Sequence, residues 1–272
     1  MDFGLDIAQQ RMSWSEIVGR AQFAEGLGFN GVWGFDHFQP MYGDGPGECF
    51  EGNTTLAALT GVTNNVRLGL LVTGMTYRHP AVFAAEAITI DHASGGRLEL
   101  SYGAAWFEKE HTELGIALPV LRDRIDGFEE ALTIVRGLLT TDNFTFEGKH
   151  FSVTDATLQP RPVQTPHPPI WIGASGEKRM LPIVARHADV WHCFGSPKML
   201  AEKSRLLSQL AEAEGRDPAS IRRAASLSLE GNADSISRAI DAFAAGGFDY
   251  LVCGWPPGGH ASVEQFAATH LT

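Results

Sequence analysis

The chain has 272 residues, of which 44% are hydrophobic and 19% are charged, so it contains enough apolar material for a large core. Its formal net charge of −11 argues against non-specific binding of nucleic acid, which requires a basic surface. We expect no membrane span, because no run of about 18 apolar residues occurs. The three cysteines lack CxxC spacing and the N-terminus lacks a secretory pattern, which predicts a cytoplasmic protein without a zinc or disulphide framework.

In chain order, short β-branched or apolar runs alternate with amphipathic stretches. The runs predict the strands Phe3–Ile7, Gly31–Phe35, Val66–Val72, Leu98–Tyr102, Ile170–Ile172, Val190–Cys193, Ala224–Leu229 and Tyr250–Cys253. The amphipathic stretches predict the helices Trp14–Leu27, Thr54–Thr63, Pro80–His92, Arg122–Leu139, Lys178–Arg186, Pro197–Glu214 and Asp234–Ala245. Eight strands separated by helices favour a closed parallel sheet. The sequence therefore predicts one α/β domain over residues 1–272, a (β/α)8 TIM barrel.

Two segments interrupt this alternation. Residues 36–53 form a Gly/Pro-rich loop after the second strand. Residues 140–169 contain the strand-like runs Phe144–Phe146 and His150–Val153, which predict a hairpin inserted before the fifth strand. At the helix junctions, Ser13 is a candidate N-cap, Gly28 a candidate C-cap, and Thr54 or Thr55 a candidate cap of the second helix.

Polar residues at the carboxyl ends of the strands are the candidates for function, because active sites of parallel barrels collect there. The second strand ends in Asp36-His37, a pair that could hydrogen-bond a heterocycle or act as acid and base. A purely structural or solvated pair is an equally good interpretation. After the third strand, Arg78 and His79 could meet an anionic group or only cap the following helix.

Small residues follow the fourth and fifth strands. Gly103-Ala104-Ala105 precede Trp106, which suits either close approach of a ligand to the backbone or tight packing. The turn Gly173-Ala174-Ser175-Gly176 predicts an anion site at a helix start, with Lys178 or Arg179 adding charge, although such turns also occur without an anion. The run Glu108–His111 is interpreted as a solvated helix face without a metal site, and His192 as a core histidine.

Several blocks in one order resemble the luciferase-like monooxygenase superfamily, and most closely its F420-dependent oxidoreductase branch. These blocks are GFNGVW (28–33), DHF (36–38), TYRHP (76–80), SGGRL (94–98), GAAWFEKEH (103–111), FEGKH (146–150), PRPVQ (160–164) and PPIWIG (168–173). The resemblance is dense over residues 1–195 and loose beyond them. It implies a (β/α)8 barrel that holds coenzyme F420 or, alternatively, FMN.

The resemblance also implies roles for individual residues. Asp36 and His37 match positions that contact the coenzyme ring and substrate, and His37 is the best candidate for handling a proton. A non-proline cis peptide is expected between Leu71 and Val72. The remaining matches to coenzyme-binding positions are Thr73, Gly74, Ala105, Trp106, Gly173, Ala174, Ser175 and Gly176.

One departure from the family pattern affects the substrate. The sugar-phosphate dehydrogenases of this family have a catalytic Glu where Trp106 stands here, and the basic residues that would bind a substrate phosphate have no match. Our leading hypothesis is hydride transfer between coenzyme F420 and a small organic substrate by a homodimer. The alternatives are an FMN-dependent monooxygenase and a non-catalytic ligand-binding barrel.

Overall fold

Eight parallel strands close into a barrel in the computed structural model, which describes residues 1–271. The barrel strands are β1 (Asp2–Asp6), β2 (Gly31–Gly34), β3 (Arg67–Leu70), β5 (Leu98–Gly103), β8 (Ile170–Gly173), β9 (Val190–Cys193), β10 (Arg222–Leu227) and β11 (Tyr250–Gly254). Their order is β3-β2-β1-β11-β10-β9-β8-β5, and pairing of β3 with β5 closes the ring. The predicted TIM barrel is confirmed.

Helices cover the outside of this barrel. They are α1 (Trp14–Gly26), α2 (Gly52–Leu59), α3 (Pro80–Ser94), α4 (Glu108–Leu114), α5 (Leu121–Thr140), α6 (Met180–His187), α7 (Pro197–Ala213), α8 (Ala233–Ala245) and α9 (Gly259–His270). The seven predicted helices are all present with shifted ends, whereas α9 was missed. Within residues 1–271, no helix combines the length and apolar character that crossing a membrane needs.

Local side-chain chemistry sets several helix ends. Ser13 caps α1 by accepting a hydrogen bond from the Glu16 N–H at 3.2 Å, and Gly28 has a φ of +87° beyond the helix end. The predicted caps of α2 are wrong. The carboxylate of Glu51 caps this helix instead, accepting from the N–H groups of Asn53 at 3.1 Å and Thr54 at 2.6 Å.

The predicted hairpin in the insertion is confirmed. Strands β6 (Phe144–Glu147) and β7 (Ser152–Ala156) pair antiparallel outside the barrel. The Glu130 carboxylate on α5 accepts hydrogen bonds from three successive backbone N–H groups of the hairpin turn, at 2.8–2.9 Å. This contact fixes the hairpin turn to helix α5 in the outer layer.

Aromatic side chains fill the interior of the barrel. Trp33 and Trp171 lie with ring centroids 4.3 Å apart, and Trp33 Nε1 donates to the Tyr250 hydroxyl at 3.1 Å. Gly69 makes room for this layer, since a Cβ there would lie 2.8 and 2.9 Å from atoms of the Trp33 ring. Leu71 packs on the upper side of the same layer. The barrel is therefore a filled core with a floor beneath its open carboxyl end.

The third barrel strand is broken where it reaches this floor. We predicted one strand over Val66–Val72, but β3 ends at Leu70 and pairing resumes only in β4 (Thr73–Gly74). The peptide bond between Leu71 and Val72 is cis, as the family resemblance implied. Leu71 and Val72 lie between the two strand segments, and both are half-buried.

Candidate active site

A half-buried apolar surface lies at the carboxyl ends of β3, β5 and β8. We call it the apolar shelf, and it consists of the half-buried residues Leu71, Val72, Ala104, Ala105 and Gly173. Two glycines make room for Val72. A Cβ on Gly173 would lie 3.0 Å from Val72 Cγ1, and a Cβ on Gly103 would overlap Val72 Cγ2. The shelf exists because both neighbouring strands lack a side chain at this level.

Asp36 supports the shelf from behind and is 1% exposed. Its carboxylate accepts from the Gly74 N–H at 2.9 Å and from both terminal nitrogens of Arg78, at 2.7 and 3.0 Å. Thr73 is also buried, and its hydroxyl donates to Asn53 at 3.4 Å. The structure therefore places Asp36, Thr73 and Gly74 in the support of the shelf, away from the open mouth.

Arg78 contacts three carboxylates. Besides Asp36 it bonds to Glu51, and its Nε lies 3.2 Å from a Glu86 oxygen. Burial opposes the charge of Arg78, but these carboxylates outweigh burial and raise its pKa above the ordinary value. His79 accepts from the Ala81 N–H at 3.2 Å and caps α3. The sequence left open whether Arg78 and His79 meet an anionic group or only cap the following helix. The structure supports the capping role for His79 and a structural ion pair for Arg78.

His37 lies at the rim of the mouth and contacts Glu110. Its Nδ1 is 3.2 Å from a Glu110 carboxylate oxygen. An ionised carboxylate only accepts hydrogen bonds, so Nδ1 carries the proton and Nε2 has the free lone pair. The ring has aromatic neighbours, with Phe107 at a centroid distance of 5.3 Å and Trp106 at 5.9 Å. Glu110 thus fixes both the tautomer and the orientation of the imidazole.

Glu110 is fully buried, so its assignment to a solvated helix face is wrong. The carboxylate accepts from the backbone N–H groups of Phe38 at 2.7 Å and Gln39 at 2.9 Å, and from the Tyr77 hydroxyl at 2.6 Å. Burial alone would raise the pKa of Glu110, but hydrogen bonds from His37, Tyr77 and Phe38 together lower it below the ordinary value. One carboxylate therefore joins the loop after β2 to the loop after β4.

Glu110 and His111 are the buried residues of α4, and apolar spacing in the sequence does not mark them. Phe107 precedes the helix, and Leu114 near its end is 47% exposed, so no apolar residue of the pattern identifies the inward face. His111 Nε2 lies 2.7 Å from the Thr76 hydroxyl. The polar contacts of this face became visible only in the folded structure.

The turn Gly173–Gly176 differs from the prediction in one respect. Helix α6 begins at Met180, so residues 177–179 form a turn where we placed the helix start. Arg179 is bound to Asp126 on α5. Lys203 on α7, which the sequence did not indicate, also reaches the turn; its Nζ donates to the Ser175 carbonyl at 2.9 Å and to the Glu177 carboxylate at 2.6 Å.

His192 is a buried core histidine, as its sequence context predicted. Its Nε2 lies 3.1 Å from the Ser226 hydroxyl, and burial lowers its pKa to about 4. The imidazole is therefore neutral at physiological pH. It lies inside the barrel, below the carboxyl ends of β9 and β10.

Several known proteins are similar to this chain in sequence. The family model described as luciferase-like monooxygenase matches residues 1–247. An F420-dependent glucose-6-phosphate dehydrogenase of Microbacterium testaceum is 35% identical over 64% of this chain and 51% of its own length. An F420-dependent hydroxymycolic acid dehydrogenase of Mycobacterium tuberculosis is 29% identical over 90% and 68%. An FMNH2-dependent dimethylsulfone monooxygenase of Pseudomonas putida is 30% identical over 68% and 50%. The chain thus spans about half the length of two of these relatives.

Solved structures share the fold over nearly the whole chain. An F420-dependent secondary alcohol dehydrogenase in complex with an F420–acetone adduct superposes with a TM-score of 0.87 at 19% identity, covering 98% of this chain and 97% of its own. The F420-dependent tetrahydromethanopterin reductase of Methanopyrus kandleri has a TM-score of 0.81 at 17% identity, with the same coverage. At these identities the likeness shows a common architecture.

Substitution of Glu110 tests the buried carboxylate. Glu110→Gln keeps the shape of the side chain but removes the charge, so we expect unfolding at pH 7 to become about 2–4 kcal/mol easier. Because the folded pKa of Glu110 lies below 4.5, ionised Glu110 adds stability above that pH, and this contribution is lost as pH falls through the folded value. Urea denaturation at pH 7 and at pH values below 4.5 measures this. The difference in unfolding free energy between wild type and Glu110→Gln should become smaller in acid.

The matched control for this substitution is Glu108→Gln on the same helix. Glu108 is exposed, and its replacement should change stability by less than about 0.5 kcal/mol. A loss for Glu110→Gln that stays constant from neutral to acidic pH would contradict the role of its charge.

Proposed function

Because the chain belongs to the luciferase-like monooxygenase family, we propose that it is an oxidoreductase that transfers hydride between coenzyme F420 and a small organic substrate. Relatives and structural neighbours described as F420-dependent dehydrogenases and reductases support this assignment. The observation that carries it is the apolar shelf beside an imidazole whose tautomer is fixed by a buried carboxylate. Together they provide a surface for a planar ring and a proton-handling group at its edge.

The residues present fit a flat deazaflavin. Leu71, Val72 and Gly173 would lie against the ring, since they are half-buried, apolar and free of projecting polar atoms. Ser175 and Gly176 are exposed at the edge of the mouth, and with Lys203, whose Nζ is also paired with Glu177 at 2.6 Å, they would meet the anionic side chain of the coenzyme. When bound, the coenzyme supplies the hydride acceptor or donor.

The protein's own contribution is a proton path at His37. If the substrate is an alcohol, Nε2 accepts the hydroxyl proton while the carbon loses a hydride; in the reverse direction it returns the proton to the carbonyl oxygen. Glu110 stabilises the imidazolium that forms, because its carboxylate faces Nδ1 at 3.2 Å. Asp36 acts on the shelf through Gly74 and Arg78, and we assign it a positioning role.

An FMN-dependent monooxygenase is the second candidate. The dimethylsulfone monooxygenase of Pseudomonas putida matches 68% of the chain at 30% identity, similar to the F420-dependent relatives. The same shelf would accept the tricyclic ring of F420 or that of FMN. The two proposals therefore differ in which coenzyme binds.

Coenzyme titration is the direct test. We expect F420 to bind at least about tenfold more tightly than FMN, a difference of about 1.4 kcal/mol. Equilibrium fluorescence titration of the purified chain with each coenzyme measures it. Tight binding of FMN without binding of F420 would overturn the assignment in favour of the monooxygenase.

The role of His37 is tested by His37→Ala. Loss of the proton-handling group should lower kcat for oxidation of a simple secondary alcohol, 2-propanol, by oxidised F420 about 10²–10⁴-fold, while the Kd for the coenzyme changes little. The matched control is His92→Ala, an exposed histidine in the last turn of α3. Turnover of His37→Ala equal to that of wild type would remove its proposed role.

We propose further that the chain is a homodimer in the cytoplasm. The family resemblance supports dimerisation through barrel helices. Three free cysteines, Cys49, Cys193 and Cys253, support a reducing compartment. Sedimentation velocity at micromolar concentration should give twice the chain mass of 29.5 kDa, and a single species of 29.5 kDa would exclude the dimer.

A further inference from the structure

A second depression opens at the barrel mouth, opposite the apolar shelf. It has a volume of about 250 Å³ and lies at the ends of β9, β10, β11 and β1. In the closed strand order, β10 stands across the barrel from β3, and β11 across from β5. We call it the acidic cleft, and its walls are formed by Asp6, Phe194, Ser226, Leu227, Ser228, Leu229, Glu230, Val252, Gly254, Trp255 and Pro256.

The charged side chains in the wall of this cleft are acidic. Asp6 and Glu230 supply carboxylates, beside the hydroxyls of Ser226 and Ser228 and the indole of Trp255. Within residues 1–271, no lysine, arginine or histidine lines it. Arg20 stacks on the indole of Trp255 with its guanidinium carbon 3.9 Å from the ring centroid, but it is not part of the cleft lining and is paired with Glu16 at 2.8 Å.

Asp6 has spare hydrogen-bonding capacity in this wall. One carboxylate oxygen accepts from the Ala8 N–H at 2.9 Å, and the other has no partner among the described residues. Burial, opposed only by the Ala8 N–H, raises the pKa of Asp6 to about 6. At neutral pH this carboxylate is therefore ionised and poorly solvated, so a donor placed beside it is stabilising.

Aromatic and apolar side chains form the rest of the cleft. Phe194 is 66% exposed there, and Trp255 is half-buried. Large exposed aromatics beside carboxylates suit an apolar ligand body that carries a donor group, and they attract a cation through their ring faces. An anionic group would meet two carboxylates and no compensating charge.

We propose that the acidic cleft binds the substrate, and that it selects apolar molecules whose polar group donates hydrogen bonds, a hydroxyl or an ammonium, against molecules that carry an anion. The inference rests on the proposed function, because it places the substrate opposite the ring-binding shelf. His37 lies in the loop after β2, the strand between β3 and β1, and so stands at the boundary of shelf and cleft.

Three probes of one shape test this selection without any coenzyme: benzylamine, benzyl alcohol and benzoate. Ligand-observed NMR titration of the full chain at pH 7 gives their Kd values. We expect benzylamine to bind about tenfold more tightly than benzyl alcohol, and benzoate not to bind measurably. Benzoate binding as tight as benzylamine binding, or no binding of any probe, would overturn the proposal.

Two variants locate the selection in the cleft. Asp6→Asn keeps an acceptor for the Ala8 N–H but removes the charge, and it should weaken benzylamine about tenfold while changing benzyl alcohol less than about threefold. Glu230→Lys alters an exposed side chain and should weaken benzylamine and allow benzoate to bind. Asp241→Asn, an exposed carboxylate on α8, is the control and should change nothing.

The two proposals fail separately. If F420 binds and is turned over but Asp6→Asn and Glu230→Lys keep the wild-type preference among the probes, the cleft inference is wrong and the proposed function stands. If the probes follow the expected order and F420 does not bind, the coenzyme assignment is wrong while the ligand selectivity of the cleft is retained.

Discussion

The two-point contact between Asp36 and Arg78 is the interaction on which the rest of the site depends. Asp36 lies two residues beyond the end of β2, Arg78 follows β4, and the same carboxylate accepts the N–H of Gly74. Breaking one side of such a buried pair would leave an uncompensated charge, which costs several kcal/mol. The pair therefore fixes the segment after the strand break, and the apolar shelf is held in one position relative to His37.

The Glu110 carboxylate, like that of Asp36, accepts hydrogen bonds from more than one segment of the chain. Its carboxylate collects donors from the loop after β2 and from Tyr77 in the loop after β4, so that a single side chain orders two loops and the imidazole between them. Because these donors at positions 37–39 and 77 are far from Glu110 along the chain, the site depends on tertiary contacts far more than on local sequence. This dependence explains why Glu110 was assigned to a solvated helix face from the sequence.

The strands and most helices could be predicted because hydrophobic periodicity and helix caps are local signals. Strand β9 was predicted with its bounds, and Ser13 was recognised as a cap. The break after Leu70 was visible only through family resemblance, since its apolar residues continue the strand pattern. Glu110 and Lys203 were missed for a different reason, because a charged residue in a helix shows no sign of its partner until the fold is closed.

The packing of Val72 between two glycines has a consequence for how such a site can change over generations. An added methyl at position 103 would overlap the Val72 side chain, and one at position 173 would press against it at 3.0 Å. A larger residue at one of these three positions is therefore best tolerated with a smaller residue at another. In an alignment of relatives, the three columns should covary although they stand about 30 and 70 residues apart along the chain.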